Sequence, residues 1–176
     1  MKKKKNKILV VDVANLAYRS YHSFKGIQMK FDETSFYHTG IIYGVFKNIF
    51  SLYEQYKYKS IMLVFEGNKA NNPRLKHPEY KKKRGGKGSA TIDIVNEMLL
   101  IRNIASSLGM LCVYPGRGEA DDGIANLSSR LSRKRRNLIH ILSNDHDMHQ
   151  LLRHNVEILK NADSSYKPYT KETFLK

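Results

Sequence analysis

Cysteine is almost missing from this chain of 176 residues, which contains only Cys112. A single cysteine excludes an intrachain disulfide and fits the reducing cytoplasm, where we expect the protein to reside. Long apolar runs are missing too, since none approaches the roughly 20 residues that a membrane helix needs. The apolar run 8–11 after the N-terminal lysines ends at Asp12. It is therefore far too short for the core of a signal peptide.

Acidic residues are scarce, with 16 Asp and Glu against 31 Lys and Arg, which gives a formal net charge of +15. This excess favours a polyanionic partner, above all nucleic acid, although ribosomal and membrane-surface proteins can be equally basic. The hydrophobic content of 41% and the charged content of 27% are typical of a globular protein. The length predicts one domain over residues 1–176, and the chain contains no internal repeat.

The few acids are concentrated at residues 118–123, whose sequence is GEADDG. Glu119 and Asp122 are three residues apart and would share one face of a helix, with Asp121 turned toward an edge. Carboxylates this close repel one another unless protons or cations neutralise them, and Mg²⁺ and Mn²⁺ prefer such oxygen ligands. The alternative is an acid-rich helix N-terminus that the helix dipole stabilises and that binds no metal.

Hydrophobic patterns predict strands that alternate with helices. Short apolar runs with β-branched residues predict buried strands at 7–13, 60–65, 110–114, 138–142 and 156–160. Helices are predicted at 15–23, 38–56, 91–108 and 119–131, another helix begins near 169, and 24–37 is predicted to be a loop. The alternation predicts an α/β fold with a mostly parallel central sheet of about five strands and helices on both faces.

Carboxylates follow four of the predicted strands. They are Asp12, Glu66, the trio Glu119, Asp121 and Asp122, and the pair Asp145 and Asp147, which would point the same way in an extended segment. Since the carboxyl ends of parallel strands meet at one edge, we expect the seven acids to converge there. Such a cluster suits two divalent cations roughly 4 Å apart, the arrangement for in-line displacement at phosphorus. Each acid taken alone also has a simpler explanation. Asp12, for example, could be present merely to cap the next helix.

Residues 68–89 form the most basic and least regular segment. Its side chains include Arg74, Tyr80, Lys81, Lys82, Lys83, Arg84 and Lys87, and glycines at 85, 86 and 88 disfavour a continuous helix. Beside a cluster of acids these side chains are candidates for phosphate binding and for stacking on a sugar or base. The alternative is a solvated charged loop. A second basic run at 133–136 is predicted to be a solvated turn that could also contact phosphate.

Five segments together resemble the nuclease domain of the 5′ nucleases. These are the flap endonucleases and 5′–3′ exonucleases of bacteriophages and of the N-terminal domain of bacterial DNA polymerase I. The segments are 8–16 (ILVVDVANL), 64–67 (VFEG), 78–84 (PEYKKKR), 118–123 (GEADDG) and 143–147 (SNDHD), in order along essentially the whole chain. The resemblance implies a PIN-like α/β nuclease fold, with the seven acids as metal ligands, direct or through water.

The same resemblance implies roles for the basic segment. Lys81 and Arg84 match the cations that contact the scissile phosphate, Tyr80 is a candidate stacking residue, and residues from about 82 to 94, within a basic loop of about 68–94, correspond to an arch that guides a single-stranded 5′ end. We therefore expect a 5′ nuclease that uses Mg²⁺ or Mn²⁺ to hydrolyse DNA. Arg74, Lys82, Lys83 and Lys87 are further candidate DNA contacts. The expected substrate is DNA with a single-stranded 5′ end or flap, or the RNA of an RNA–DNA hybrid, in the host cytoplasm if a phage encodes the protein.

Two departures from the family pattern leave alternatives open. Glu66 stands where the family more often has Asp, and the sequence given does not include the helix-hairpin module that holds the duplex and completes the second metal site. The chain could be a minimal nuclease, one product of a split gene that needs a partner protein, or part of a longer protein. The other functions considered are a PIN-like ribonuclease and a catalytically silent nucleic-acid-binding subunit.

Overall fold

The computed structural model describes residues 5–30, 32–33, 36–67, 89–162 and 165–175. In this part of the chain the strands are β1 Asn6–Asp12, β2 Gln28–Lys30, β3 Phe36–His38, β4 Ser60–Val64, β5 Leu111–Val113, β6 Asn137–Leu142, β7 Val156–Ala162 and β8 Ser165–Tyr169. The helices are α1 Val13–Phe24, α2 Gly40–Tyr56, α3 Ser89–Ser107, α4 Ala120–Ser132, α5 Lys171–Phe174 and a 3₁₀ helix at His146–Leu151. None of the described helices is long and apolar enough to cross a membrane.

Strand β1 is central to the sheet because it is apolar on both faces. The strand order is β5-β4-β1-β6-β7-β8, and all neighbours are parallel except the antiparallel pair β7 and β8. Leu9 and Val11 belong to one core, which includes residues of α1, α2 and α3, whereas Ile8 and Val10 belong to a second core with α4 and the 3₁₀ helix. A strand covered on both faces needs a continuous apolar run, and residues 8–11 supply it.

The chain changes direction across the sheet at β1, because β4 pairs with one edge of β1 and β6 pairs with the other. Such a switch point opens a crevice at the carboxyl ends of the strands, where α/β proteins bind ligands. Asp12 is aligned with Val64 at the end of β4, and Val11 is aligned with Leu142 at the end of β6. The ends of these three strands therefore lie side by side below the crevice.

The predicted α/β fold with a mostly parallel sheet is confirmed, and each of the five predicted strands is present. Three details were wrong. Residues 24–37 are not only a loop, since β2 pairs with β3 in an antiparallel ribbon. Strand β8 was not predicted, and the last helix begins at Lys171 rather than at Tyr169. The three residues of β2 are all exposed, so its sequence carries no hydrophobic alternation to detect.

Candidate active site

Asp12 lies at the carboxyl end of β1, where it is buried. Its Oδ1 accepts a hydrogen bond from the backbone N–H of Asn15 at 3.1 Å, and its Oδ2 accepts one from the hydroxyl of Ser143 at 2.9 Å. Burial raises the pKa of Asp12 above its ordinary value, these two hydrogen bonds oppose the rise, and the charges of Glu66 and Asp145 add to it. Asp12 therefore caps α1 and is also within electrostatic reach of two other predicted ligands.

Asp121 lies in the first turn of α4, and burial together with four other carboxylates raises its pKa. Burial raises its pKa to about 6, and the charges of Asp12, Asp145, Glu66 and Glu119 contribute to the rise. Asp121 is therefore within electrostatic reach of four other predicted ligands. Acids that follow β1, β4, β5 and β6 are close enough to repel one another.

Glu119 and Asp122, which the sequence spacing predicts on one face of a helix, together form the N-terminal cap of α4. Glu119 is the N-cap residue, and the Oδ2 atom of Asp122 accepts a hydrogen bond from its N–H at 3.0 Å. The side chain of Glu119 in turn accepts from the backbone of Asp122, which completes a capping box. Gly118 precedes the cap with a φ of 93°, and a Cβ atom there would collide with the Asp122 carboxylate. Glycine is thus required for this turn.

Glu66 reaches the same helix end from the loop after β4. Its Oε2 accepts a hydrogen bond from the N–H of Ala120 at 3.3 Å, so this carboxylate lies at the positive end of the α4 dipole. The next residue, Gly67, packs tightly, because a Cβ atom there would lie 2.5 Å from the carbonyl oxygen of Pro115 and 2.9 Å from that of Gly118. The close approach of the two loops brings Glu66 next to the start of α4.

Asp145 and Asp147 were predicted to point the same way if their segment were extended. The segment is not extended, because the 3₁₀ helix begins between them at His146. Asp145 is its N-cap residue, and the Oδ1 atom of Asp145 accepts a hydrogen bond from the N–H of Asp147 at 2.9 Å. The charge of Asp145 raises the pKa of both Asp12 and Asp121. Asp147 is exposed, and we place it at the margin of the group.

Asp12, Glu66, Glu119, Asp121 and Asp145 are called the acidic cluster below. Within the described part of the chain, no three His, Cys, Asp or Glu side chains are arranged to hold a metal ion as they stand. The chemistry of the donors nevertheless fits Mg²⁺ or Mn²⁺, which take carboxylate oxygens as ligands. The repulsion that raises the pKa values of Asp12 and Asp121 is what such an ion would relieve.

The predicted cations of the basic segment lie outside the described residues, together with its tyrosine. They are Arg74, Tyr80, Lys81, Lys82, Lys83, Arg84 and Lys87. The last described residue before the segment is Gly67, which contacts the loop that leads into α4. The roles of the residues in this segment stay predictions.

Ser143 connects two members of the acidic cluster and received no role from the sequence. Its buried hydroxyl donates to Asp12 Oδ2 at 2.9 Å and accepts from the N–H of Asp145 at 3.2 Å. Asn15 acts similarly, because its Oδ1 accepts from the N–H of Asn144 at 3.1 Å. Both residues lie in segments that resemble the family motifs, which was the available signal. A hydrogen bond between segments more than a hundred residues apart cannot be inferred from local spacing.

Comparison with known proteins identifies the family of this chain. The family model described as the 5′-3′ exonuclease, N-terminal resolvase-like domain, matches residues 7–176. The thermostable DNA polymerase I of Thermus thermophilus is 28% identical over 155 residues, which cover 88% of this chain and 18% of the polymerase. A 5′-3′ exonuclease of Buchnera aphidicola is 30% identical over 162 residues, which cover 92% of this chain and 54% of the exonuclease. This chain thus spans about half the length of that exonuclease.

Two solved structures from phage T5 share the fold. The T5 5′-exonuclease with bound zinc ions matches with a TM-score of 0.64 at 20% identity, over 96% of this chain and 60% of the other. A T5 flap endonuclease in complex with DNA and metal ions matches with a TM-score of 0.60 at 18% identity, over 93% of this chain and 57% of the other. These likenesses establish the fold, and the residues matched by the family model span every member of the acidic cluster. The resemblance seen in the five segments is confirmed, and the chain belongs to the family of the 5′-3′ exonuclease N-terminal, resolvase-like domain.

Proposed function

We propose that the chain is a divalent-metal-dependent 5′ nuclease that hydrolyses DNA phosphodiester bonds as a 5′–3′ exonuclease or flap endonuclease. The observation that carries the proposal is the acidic cluster. Carboxylates from four segments gather at the switch point of the sheet, and their charges help raise the pKa of Asp121 to about 6. A protein with a net charge of +15 has few acids to place there, and the family to which the chain belongs is named for exonuclease activity.

The acidic cluster is the proposed metal site, and Asp122 and Asp147 complete the ligand set, directly or through water. When bound, two divalent ions supply an activated water and stabilise the leaving oxygen. The residues of the chain hold the site in shape. Asp12 and Glu66 approach it from neighbouring strands, and the capping box of Glu119 and Asp122 orients the first turn of α4.

The substrate-binding part of the proposal rests on sequence alone. In one domain over residues 1–176, the segment of about 68–94, whose last residues begin α3, would guide the single-stranded 5′ end past the acidic cluster. Lys81 and Arg84 would contact the scissile phosphate and stabilise the negative charge that develops during the displacement. Tyr80 would stack on a base, while Arg74, Lys82, Lys83 and Lys87 would bind backbone phosphates.

The test is cleavage of a 5′-end-labelled flap DNA with Mg²⁺, with Mn²⁺ and with EDTA. Asp121→Asn removes one carboxylate from the cluster, and Glu54→Gln is the matched control, because Glu54 is an exposed acid on α2. We expect metal-dependent cleavage by the wild type and by the control, and a loss of about 100-fold or more in Asp121→Asn. Wild-type turnover by Asp121→Asn would exclude the acidic cluster from the active site.

A second candidate function is a nucleic-acid-binding subunit that needs a partner protein or a further module for catalysis. The excess of Lys and Arg, which gives a formal net charge of +15, favours it, because this charge attracts nucleic acid and does not by itself require catalysis. This function predicts tight DNA binding without cleavage in the same assay. A labelled RNA strand of the same sequence separates both candidates from a PIN-like ribonuclease.

A further inference from the structure

The end of the sheet where the parallel strands begin is strongly basic. Exposed cations lie at or shortly before the starts of β1, β4, β6 and β7, and they are Lys5, Lys57, Lys59, Arg133, Lys134, Arg135, Arg136 and Arg153. Backbone hydrogen bonds join these starts, because Asn6 N–H donates to the Arg136 carbonyl at 2.8 Å and Lys59 N–H donates to the Lys7 carbonyl at 2.9 Å. We call the eight exposed cations the basic edge.

The basic edge is separate from the acidic cluster. Lys5 precedes β1 and Asp12 ends it, and the seven residues of this strand span about 20 Å. Duplex DNA is stiff, with a persistence length of about 150 base pairs. A duplex that crosses the acidic cluster therefore cannot also lie along the opposite end of the sheet without strong bending. The basic edge is thus not part of the proposed nuclease site.

The turn that carries Arg133, Lys134, Arg135 and Arg136 is held by two buried asparagines. The side-chain amide of Asn155 donates to the carbonyls of Ser132 at 3.0 Å and Asn137 at 3.2 Å. The amide of Asn137 donates to the carbonyl of Leu131 at 3.0 Å. These bonds fix the backbone on both sides of the turn. Four consecutive cations therefore project from an ordered backbone, which reduces the entropy that binding would cost.

Little negative charge offsets these cations. The described acids nearest to them along the chain are Glu54 and Glu157, and Glu157 Oε2 lies 3.2 Å from Nε2 of the buried His140. Four adjacent strand starts form a row about 14 Å wide at the usual strand spacing. This width is close to the roughly 12 Å of the DNA major groove, across which two phosphate backbones face each other.

We propose that the basic edge is a second DNA-binding surface, which holds the phosphate backbone of duplex DNA without reading its sequence. Lys and Arg side chains bind phosphate oxygens in this way and release counterions from the DNA. The choice of DNA among polyanions rests on the proposed function. Duplex bound here leaves the acidic cluster accessible, so the chain can stay on DNA while a 5′ end is engaged at the other end of the sheet.

The test is binding of a short blunt-ended duplex, measured by fluorescence anisotropy in EDTA between about 50 and 200 mM salt. The turn variant is Arg133→Gln/Lys134→Gln/Arg135→Gln/Arg136→Gln. The control is Lys25→Gln/Lys47→Gln/Lys167→Gln/Lys171→Gln, which removes the same charge from exposed positions elsewhere. In the turn variant we expect about tenfold weaker binding at low salt, and a slope of log affinity against log salt that is smaller by about 2 to 4. The control should lose far less.

Equal losses in the two variants would show that net charge alone matters, and an unchanged turn variant would make the basic edge a solvated face. Either result overturns the proposal. Because EDTA prevents metal-dependent cleavage, the outcome does not depend on the proposed nuclease activity, which the flap assay tests separately. All eight substituted side chains are exposed, and thermal unfolding of both variants verifies that they fold.

Discussion

At the scale of single residues, Ser143 links two proposed metal ligands, Asp12 and Asp145, by hydrogen bonds. Its hydroxyl bonds to the Asp12 carboxylate and to the backbone N–H of Asp145, at 2.9 and 3.2 Å. These acids lie more than a hundred residues apart in the chain, so that one buried side chain sets their relative position. Hydrogen-bonding partners of metal ligands typically affect metal affinity by 10- to about 100-fold.

We expect Ser143→Ala to weaken Mn²⁺ binding by about tenfold, because Asp12 loses a hydrogen bond and the Asp145 loop loses its anchor. Ser143→Thr keeps the hydroxyl and should retain most of the affinity. Isothermal titration calorimetry with Mn²⁺ measures both variants without requiring activity. If Ser143→Ala binds Mn²⁺ as tightly as the wild type, the hydroxyl supports the fold and does not position the ligands.

Asp121 destabilises the metal-free protein when its carboxylate is charged, whereas the hydroxyl of Ser143 supports the site. Its folded pKa is about 6, above its ordinary value of 3.8, so its contribution to stability falls as the pH rises between these values. Asp121→Asn should therefore increase the free energy of unfolding above pH 6 by about 1 kcal/mol, after solvent screening is allowed for. Below pH 4 the two proteins should be equally stable.

Urea unfolding in EDTA at several pH values checks this difference. Glu54→Gln again serves as the control, since it removes an exposed charge remote from the cluster. A difference between the wild type and Asp121→Asn that did not depend on pH would show that packing, and not ionisation, is responsible.

At the scale of elements, the N-terminus of α2 depends on a side chain from α3. The N-cap residue Thr39 makes no side-chain capping bond, and Oε2 of the buried Glu97 instead accepts from the N–H of Ile42 at 3.0 Å. A carboxylate at this position satisfies a helix-terminal donor and also interacts favourably with the helix dipole.

Glu97→Ala should lower the free energy of unfolding by about 2 kcal/mol, because a half-buried N–H group at the start of α2 loses its acceptor. Glu97→Gln keeps an acceptor oxygen but not the charge, and it should cost less than the alanine variant. Urea unfolding of the three proteins gives the order directly. Equal losses for glutamine and alanine would mean that the charge, and not the hydrogen bond, is what α2 requires.

The elements that sequence predicted well are those whose own side chains determine them. Strands β1 and β6 are buried runs and are recognisable alone, whereas β2 is exposed and forms only through pairing with β3. The positions of the acids followed from the strand ends, but their orientations did not. Capping interactions decided those, and they turned Glu119 and Asp122 into a cap and began a 3₁₀ helix after Asp145.

At the scale of the whole molecule, acidic residues are concentrated at one end of the sheet and basic residues at the other. The acidic cluster lies where β1, β4 and β6 end, and the basic edge lies where β1, β4, β6 and β7 begin. The sequence could predict the first of these ends, because acids follow the strands. Of the second end, the sequence indicated only the run 133–136, as a solvated turn that could also contact phosphate. The other cations come from separate segments that the parallel pairing of the strands brings together.

The metal-free protein carries unrelieved repulsion at the acidic end, so ion binding should stabilise the whole domain. A ligand that binds only the folded state at 100 times its Kd adds about 2.7 kcal/mol to the free energy of unfolding. For a chain of this length that corresponds to a rise in Tm of about 5 to 10 °C. We therefore expect saturating Mn²⁺ to raise the Tm of the wild type and of Glu54→Gln by this amount.

Asp121→Asn should show little or no rise, because the variant has lost a proposed ligand and part of the repulsion that the ion relieves. Differential scanning fluorimetry with Mn²⁺, with EDTA and with K⁺ at equal ionic strength separates specific binding from charge screening. A rise that K⁺ reproduces, or one that Asp121→Asn retains in full, would place the ion elsewhere. Because the readout is unfolding, the answer holds for this chain whether or not cleavage requires a further module.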